Sequence, residues 1–119
     1  MGAAQGQGKI LHLKAQVALD ENGDLIGKND MRKQVQKVFE NIQKVLHHVG
    51  GEMKDIFSIS HYVTNMDAFA KVGDLRKAFF QEPYPISTTI EVRRLFHPDW
   101  LVEVSAIAEI PEERFLSPD

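Results

Sequence analysis

Two neighbouring strands are predicted within residues 85–110, whose sequence is PISTTIEVRRLFHPDWLVEVSAIAEI. Apolar and polar side chains alternate in both, and alternate side chains point to opposite faces of a sheet. In the first strand, the residues expected to face a core are Ile90 and Val92, and those expected on the other face are Ser87, Thr89, Glu91 and Arg93. In the second strand, the apolar row is Val102, Val104, Ala106, Ala108 and Ile110. The sequence therefore predicts a sheet with one buried face and one polar face that meets a ligand or another subunit.

Composition restricts the classes of protein that this chain can represent. Its 119 residues, 43% hydrophobic and 26% charged, suit one globular domain with its own core. The net charge of -3 lacks the basic surplus that attracts phosphate backbones, so the composition disfavours a nucleic-acid partner. The absence of cysteine excludes disulfides, thiol nucleophiles and cysteine metal sites. No apolar run reaches the ~18 residues of a membrane helix and no signal peptide is recognisable, so we expect a cytoplasmic protein without a membrane partner.

The rest of the chain alternates between strand and helix patterns. Residues 1–8 have no periodic pattern and are interpreted as a flexible lead-in to a single domain over 9–119. The predicted elements are a strand over 9–19, a short strand at 25–26, a helix between caps at 29–30 and 50–51, a strand over 55–64 and a helix over 66–80. Strands joined through helices of about 15 residues favour crossovers with both helices on one face. The fold class is therefore α+β, with the second face left for a partner subunit.

A set of short motifs follows a fixed order along the chain. They are Val49-Gly50-Gly51, YVTNMDAF at 62–69, Ala78-Phe79-Phe80, EVRRL at 91–95 and VEVSAIA at 102–108. Together they resemble the reactive intermediate deaminase (Rid) family, also called YjgF, over almost the whole chain. The resemblance implies a chorismate-mutase-like α+β fold, a mixed sheet with two helices on one face, and a homotrimer with ligand clefts between subunits. It also implies a deaminase that hydrolyses imines or enamines to ammonia and a 2-keto acid; we expect no cofactor and no metal.

The resemblance further implies which residues form the site. In the family, an arginine on the penultimate strand binds the substrate carboxylate through its planar guanidinium, and a glutamate on the last strand assists water and proton transfer. Alignment through the strand motifs places the glutamate at Glu103, the arginine position at Ser87 and a small cleft residue at Thr89. An asparagine that several members carry on the second helix falls at Gly73. The arginine is therefore absent from this chain.

Two explanations of the missing arginine remain open. Either Lys14 or Arg93 supplies the cation, or the chain is a divergent member that acts on a different substrate, for which an uncharged molecule is one option. Loss of a charge-assisted hydrogen bond to a carboxylate costs about 1.5 to 3 kcal/mol, so we expect the usual substrate to be handled poorly. The predicted site consists of Glu103 as the catalytic group that positions or activates water, with Ser87, Thr89 and Lys14 binding the substrate.

Each of these residues also has a purely structural explanation. Glu103 can pair with Arg93 or Lys14 at an interface, Lys14 can face solvent, and Ser87 and Thr89 can be ordinary strand residues. The functional alternatives are a non-catalytic ligand-binding or regulatory trimer and, third, an RNA-cleaving enzyme. The acidic composition argues against the third.

Overall fold

The computed structural model describes residues 8–117, which form one four-stranded sheet and three α-helices. In chain order the elements are β1 (Lys9–Gln16), α1 (Met31–His48), a 3-10 turn (Met53–Asp55), β2 (Ile56–Val63), α2 (Met66–Ala70), α3 (Gly73–Phe79), β3 (Ile86–Glu91) and β4 (Val102–Ile110). The strand order is β1-β4-β2-β3, in which β2 and β3 run parallel and the other two pairs run antiparallel. The predicted α+β class with a mixed sheet is confirmed. Of the predicted lead-in, residues 1–7 lie outside the described residues.

Helix α1 packs its apolar side against the sheet. Asp30 begins the helix by accepting a hydrogen bond from the backbone N–H of Lys33 at 3.0 Å. Apolar residues recur every three or four positions, which places them on one side. The fully buried ones are Val35, Val38, Phe39, Ile42 and Leu46. The helix ends before Gly50, whose φ of 82° lies in the left-handed region, so both predicted ends are confirmed.

Strand β4 lies between β1 and β2 and follows the predicted alternation. Its buried row is Val102, Val104, Ala106, Ala108 and Ile110. In β2, Ile59 pairs with Ala106 and Val63 pairs with Val102, and all four side chains are buried beneath the helices. Glu103 lies in the alternate row, so its carboxylate points to the face of the sheet away from the helices.

Strand β3 forms an edge of the sheet, and its two faces are the reverse of the prediction. Parallel pairing places Ser87 beside Ile59 and Thr89 beside His61, so the two hydroxyl groups are on the helix-covered face. Ile90 lies on the opposite face and is 45% exposed. The prediction that Ile90 faces the core, with Ser87 and Thr89 on the uncovered face, is therefore wrong.

The polar row of β3 lies on the same face as the helices, and those helices provide hydrogen-bond donors for it. The Arg76 guanidinium in α3 donates to Ser87 Oγ at 3.0 Å, and the backbone N–H of Met66 at the start of α2 donates to Glu91 at 2.7 Å. Ser87 and Glu91 are both exposed, so these hydrogen bonds connect the edge strand to the helices without burying its polar groups. The orientation of β3 is therefore set by its parallel pairing with β2 and by these helix contacts.

Strand β1 departs from its predicted alternation after Leu13. Leu13 pairs with Ala106 and Gln16 pairs with Val104, so β1 has one more residue than β4 between these two pairs. An extra residue of this kind is a β-bulge, which changes the face that the following side chains meet. Simple alternation over the predicted strand 9–19 would place Ala15 in one row with Leu11 and Leu13, but Ala15 is exposed as a result of the bulge, and the strand ends at Gln16.

The second predicted helix, over 66–80, is divided into α2 and α3. Asn65 caps α2 as predicted, since its side-chain oxygen accepts the Ala68 N–H at 3.0 Å. The break falls before Gly73, a residue type that weakens helix interiors by about 1 kcal/mol relative to alanine.

The predicted short strand at 25–26 is reduced to a single bridge between Leu19 and Leu25. None of the helices within residues 8–117 is long and apolar enough to cross a membrane.

Candidate functional site

A pocket with a volume of about 430 Å³ lies between α1, the α2–α3 segment and Tyr84, just before β3. Its lining residues are Val35, Phe39, Phe69, Ala70, Val72, Gly73, Arg76, Lys77 and Tyr84. The volume falls within the range of about 300 to 1,000 Å³ that is typical of small-molecule sites. Most of the wall is apolar, and Arg76 and Lys77 provide positive charge. This combination suits a small ligand with an apolar body and an anionic group.

Arg76 connects the pocket with β3. Its Nη2 atom donates a hydrogen bond to Ser87 Oγ at 3.0 Å, while the rest of the exposed guanidinium is part of the pocket wall. The neighbouring carboxylate of Asp74 is engaged elsewhere, because Arg32 binds both of its oxygens at 2.8 and 2.9 Å and thereby lowers the pKa of Asp74. Among residues 8–117, no carboxylate forms an ion pair with Arg76 or Lys77.

His61 lies in β2 next to this region and is almost completely buried. Its ring packs against Phe39 and Phe69, with centroid distances of 6.1 and 5.2 Å. Nδ1 lies 3.2 Å from the carbonyl oxygen of Thr88, and because a carbonyl only accepts, the imidazole carries its proton on Nδ1. Burial, reinforced by the positive charge of Arg76, lowers the pKa of His61 to about 4. The imidazole is therefore neutral at neutral pH.

The four residues of the predicted site do not meet within one chain. Ser87 and Thr89 face the helices, and Thr89 Oγ1 approaches His61 Nδ1 at 3.5 Å. Glu103, which pairs with Tyr62 across β2 and β4, faces the other side of the sheet and is half-buried. A sheet separates the two groups, so only contact between chains can bring them to one ligand.

The two predicted substitutes for the missing arginine also lie away from the pocket. Lys14 is exposed in the bulge of β1, at the opposite edge of the sheet from β3, and two strands separate them, which corresponds to about 14 Å. Arg93 is exposed beyond the end of β3 and does not line the pocket. Their roles at a subunit interface remain predictions, as does the role of Glu103.

Sequence reasoning missed Arg76 because it sought a cation on the polar rows of the strands. The position of Arg76 follows from how α3 packs, with Val72 and Leu75 buried on the core. In the sequence, nothing distinguishes Arg76 from any other surface cation on a helix.

Residues 8–117 contain no group of three or more side chains arranged to hold a metal ion.

Comparison with known proteins shows the family to which this chain is related. A family model described as Endoribonuclease L-PSP matches residues 3–110. A crystal structure of YyfB from Yersinia pestis, a protein of the conserved Rid family, matches with a TM-score of 0.76 and 29% identity, covering 90% of this chain and 83% of that one. The chain belongs to the Rid/YjgF family.

Two further proteins are similar to this chain over most of its length. A RutC family protein of Pyrococcus horikoshii is 33% identical over 101 residues, which are 85% of this chain and 79% of that protein. A 2-iminobutanoate/2-iminopropanoate deaminase of Dermatophagoides farinae is 26% identical over 88 residues, which are 74% of this chain and 69% of the deaminase. The second relative acts on small imino acids, whereas the family description refers to RNA cleavage.

Proposed function

We propose that this Rid-family chain is a deaminase that hydrolyses imines or enamines of small organic acids in clefts between the subunits of a homotrimer. In such a reaction water adds to the carbon of the C=N bond, and the tetrahedral adduct then loses ammonia and leaves a carbonyl group. An enamine reaches the same imine after a proton moves to carbon. No redox cofactor is needed, because no electrons are gained or lost overall.

The observation that carries this proposal is the pocket beside β3. It has the volume of a small-molecule site, an apolar wall, and hydroxyl groups of Ser87 and Thr89 on the strand next to it. Its dimensions suit an amino-acid-sized ligand better than a polynucleotide. The similarity to a 2-iminobutanoate/2-iminopropanoate deaminase supports the same class of substrate.

The homotrimer is part of the proposal because of the position of Glu103. Its carboxylate points away from the face that carries Ser87 and Thr89, and the same outer face presents the partly exposed side chains of Ile86 and Ile90. Burial of this apolar surface by another copy would be favourable. In the proposed arrangement, Glu103 of one subunit reaches the pocket of its neighbour. There it accepts a proton from the attacking water and returns one to the departing amine.

A competition assay with purified protein tests the proposed reaction. Imino acids are generated from leucine or phenylalanine by an amino-acid oxidase, and semicarbazide competes with hydrolysis for the imine. An active protein lowers the yield of semicarbazone, and Glu103→Gln should reduce this effect roughly 100-fold. Glu40→Gln, which changes an exposed glutamate on α1, serves as the matched control. If wild-type protein leaves the yield unchanged with every imine, the deaminase proposal fails.

A non-catalytic ligand-binding trimer is the alternative, and the serine at position 87 favours it. Such a protein would retain the pocket and bind 2-keto acids without turnover. Sedimentation equilibrium tests the assembly common to both functions, since a trimer has three times the protomer mass of 13.5 kDa.

RNA cleavage is disfavoured by the net charge of -3, and failure to bind single-stranded RNA at low salt would argue further against it.

A further inference from the structure

The apolar part of the pocket has a fixed shape because its central aromatic residue is held on several sides. The ring of Phe39 packs against Phe79 and Phe80, with centroid distances of 5.4 and 5.5 Å, and against His61 at 6.1 Å. Phe69 packs against His61 as well, with a centroid distance of 5.2 Å. A preformed apolar wall favours a flat or branched apolar group, because little side-chain freedom is lost on binding.

The cationic part of the pocket has unused hydrogen-bonding capacity. A guanidinium has five N–H donors, and the only hydrogen bond that the structure shows for the Arg76 side chain, among residues 8–117, is the one to Ser87 Oγ. That bond holds the guanidinium against β3. Because Arg32 occupies Asp74, the nearest carboxylate in sequence does not neutralise Arg76. An arginine held in this way is suited to bind a carboxylate through two parallel hydrogen bonds.

We infer that Arg76 binds the carboxylate of the ligand, and that the pocket selects 2-keto or 2-imino acids with an aryl or branched alkyl side chain. The cation thus comes from α3, with Ser87 as the positioning residue, and neither Lys14 nor Arg93 is required for it. This inference rests on the proposed function only for the identification of the ligand as substrate or product. Binding of the acid itself follows from the pocket.

The apolar wall leads to an order of affinity among 2-keto acids. Each buried methylene contributes about fourfold in binding, so affinity should rise from pyruvate to 2-oxobutanoate and further to phenylpyruvate. Phenylacetone, in which a methyl group replaces the carboxylate of phenylpyruvate, retains the aryl group but has no anion for Arg76. The wild-type protein can therefore be tested with ligands alone, without any variant.

Isothermal titration calorimetry with phenylpyruvate measures the contribution of Arg76. Arg76→Gln should weaken binding roughly 10- to 150-fold, and Arg76→Lys, which keeps the charge but not the forked geometry, should have an intermediate effect. Arg94→Gln removes an exposed arginine outside the pocket and should bind as the wild type does. Phenylacetone should bind the wild type at least tenfold more weakly than phenylpyruvate and should not distinguish wild type from Arg76→Gln.

Several results would overturn the inference. These are no binding of phenylpyruvate to the wild type, equal binding by wild type and Arg76→Gln, equal weakening by Arg76→Gln and Arg94→Gln, or equal affinity for phenylpyruvate and phenylacetone. The semicarbazide assay is read separately. Arg76-dependent binding without turnover would support the inference and refute the deaminase, whereas turnover that survives Arg76→Gln unchanged would support the deaminase and refute the inference.

Discussion

Ser87 and Glu103 lie on opposite faces of the same sheet. Ser87 pairs with Ile59 on the side that the helices cover, and Glu103 pairs with Tyr62 on the side that they leave open. The sheet therefore separates Glu103 from any substrate that is bound in the pocket of the same chain. The proposed site is therefore complete only when the open face of one subunit meets the pocket edge of another.

This geometry predicts that two impaired variants restore each other's activity in mixed trimers. In trimers of Glu103→Gln and Arg76→Gln subunits, some clefts receive an intact arginine from one subunit and an intact glutamate from its neighbour. In a trimer that contains both kinds of subunit, one of the three clefts has this combination, so about a third of the clefts in the purified mixed trimers are intact. Coexpression with two affinity tags and tandem purification gives the mixed trimers, whose deaminase activity is measured with the semicarbazide assay.

The matched control for this experiment combines Glu103→Gln subunits with subunits that carry both substitutions. Such trimers have no intact Glu103 and should stay inactive. Absence of any recovery in the first mixture would contradict a site that is shared between subunits. Recovery of activity in the control would show that Glu103 is not the catalytic group.

The buried His61 should make the stability of the protein depend on pH. Burial, together with the charge of Arg76, lowers the pKa of His61 from 6.5 to about 4 in the folded chain. Between these two values the unfolded chain binds more protons than the folded one, so stability falls as pH falls from 6.5 towards 4. The full difference corresponds to about 3 kcal/mol. Below pH 4 both states are protonated at this residue, and its contribution no longer changes.

Urea denaturation at pH 7 and pH 4.5 isolates this contribution. His61→Gln keeps an N–H donor for the Thr88 carbonyl but does not titrate, so its stability should change by about 2.5 kcal/mol less than that of the wild type between the two pH values. His48→Gln, at an exposed position in α1, should keep the wild-type change. An identical pH dependence of wild type and His61→Gln would contradict the prediction.

Gln34 on α1 should be important for stability although it is polar. It is fully buried, and its side chain donates to the carbonyl oxygens of Gly27 and Asp99 at 3.0 Å and accepts from the Leu101 N–H at 2.9 Å. Gln34→Leu leaves three backbone groups without these partners, at a cost of about 3 kcal/mol in the free energy of unfolding. Gln36→Leu, at an exposed position of the same helix, should change it by less than about 0.5 kcal/mol. Urea midpoints with unchanged slopes provide the comparison, and equal effects would contradict the assigned role of Gln34.

The fold could be predicted from sequence where one local pattern determines the structure. Strand β4 is an interior strand with one apolar row, so its alternation alone identifies the buried face. Strand β3 has no such asymmetry, because Ile90 and Thr89 are both compatible with either face until the pairing with β2 fixes them. The bulge after Leu13 inserts one residue without a local sequence signal.

The candidate site was predictable only in part for a related reason. Ser87, Thr89 and Glu103 are strand positions whose alignment follows from the motifs around them. The contact between Arg76 and Ser87 depends on the position of α3 relative to β3, which follows from the packing of Val72 and Leu75 in the core. The sequence of β3 alone, or of α3 alone, therefore does not show that the cation beside Ser87 comes from α3.

Two glycines with the same backbone angle should differ in their tolerance of alanine. Gly23 and Gly50 both have φ of 82°, where a side chain costs about 1 kcal/mol. A Cβ at Gly23 would have no atom within 4 Å, whereas a Cβ at Gly50 would overlap the carbonyl oxygen of Arg114. Gly50→Ala must therefore displace the C-terminal segment, which Arg114 ties to Asp55 through hydrogen bonds of 2.7 and 3.0 Å. We expect Gly50→Ala to lower the free energy of unfolding by at least 2 kcal/mol more than Gly23→Ala in urea titrations, and equal losses would show that the close approach of the Arg114 backbone to Gly50 contributes nothing to stability.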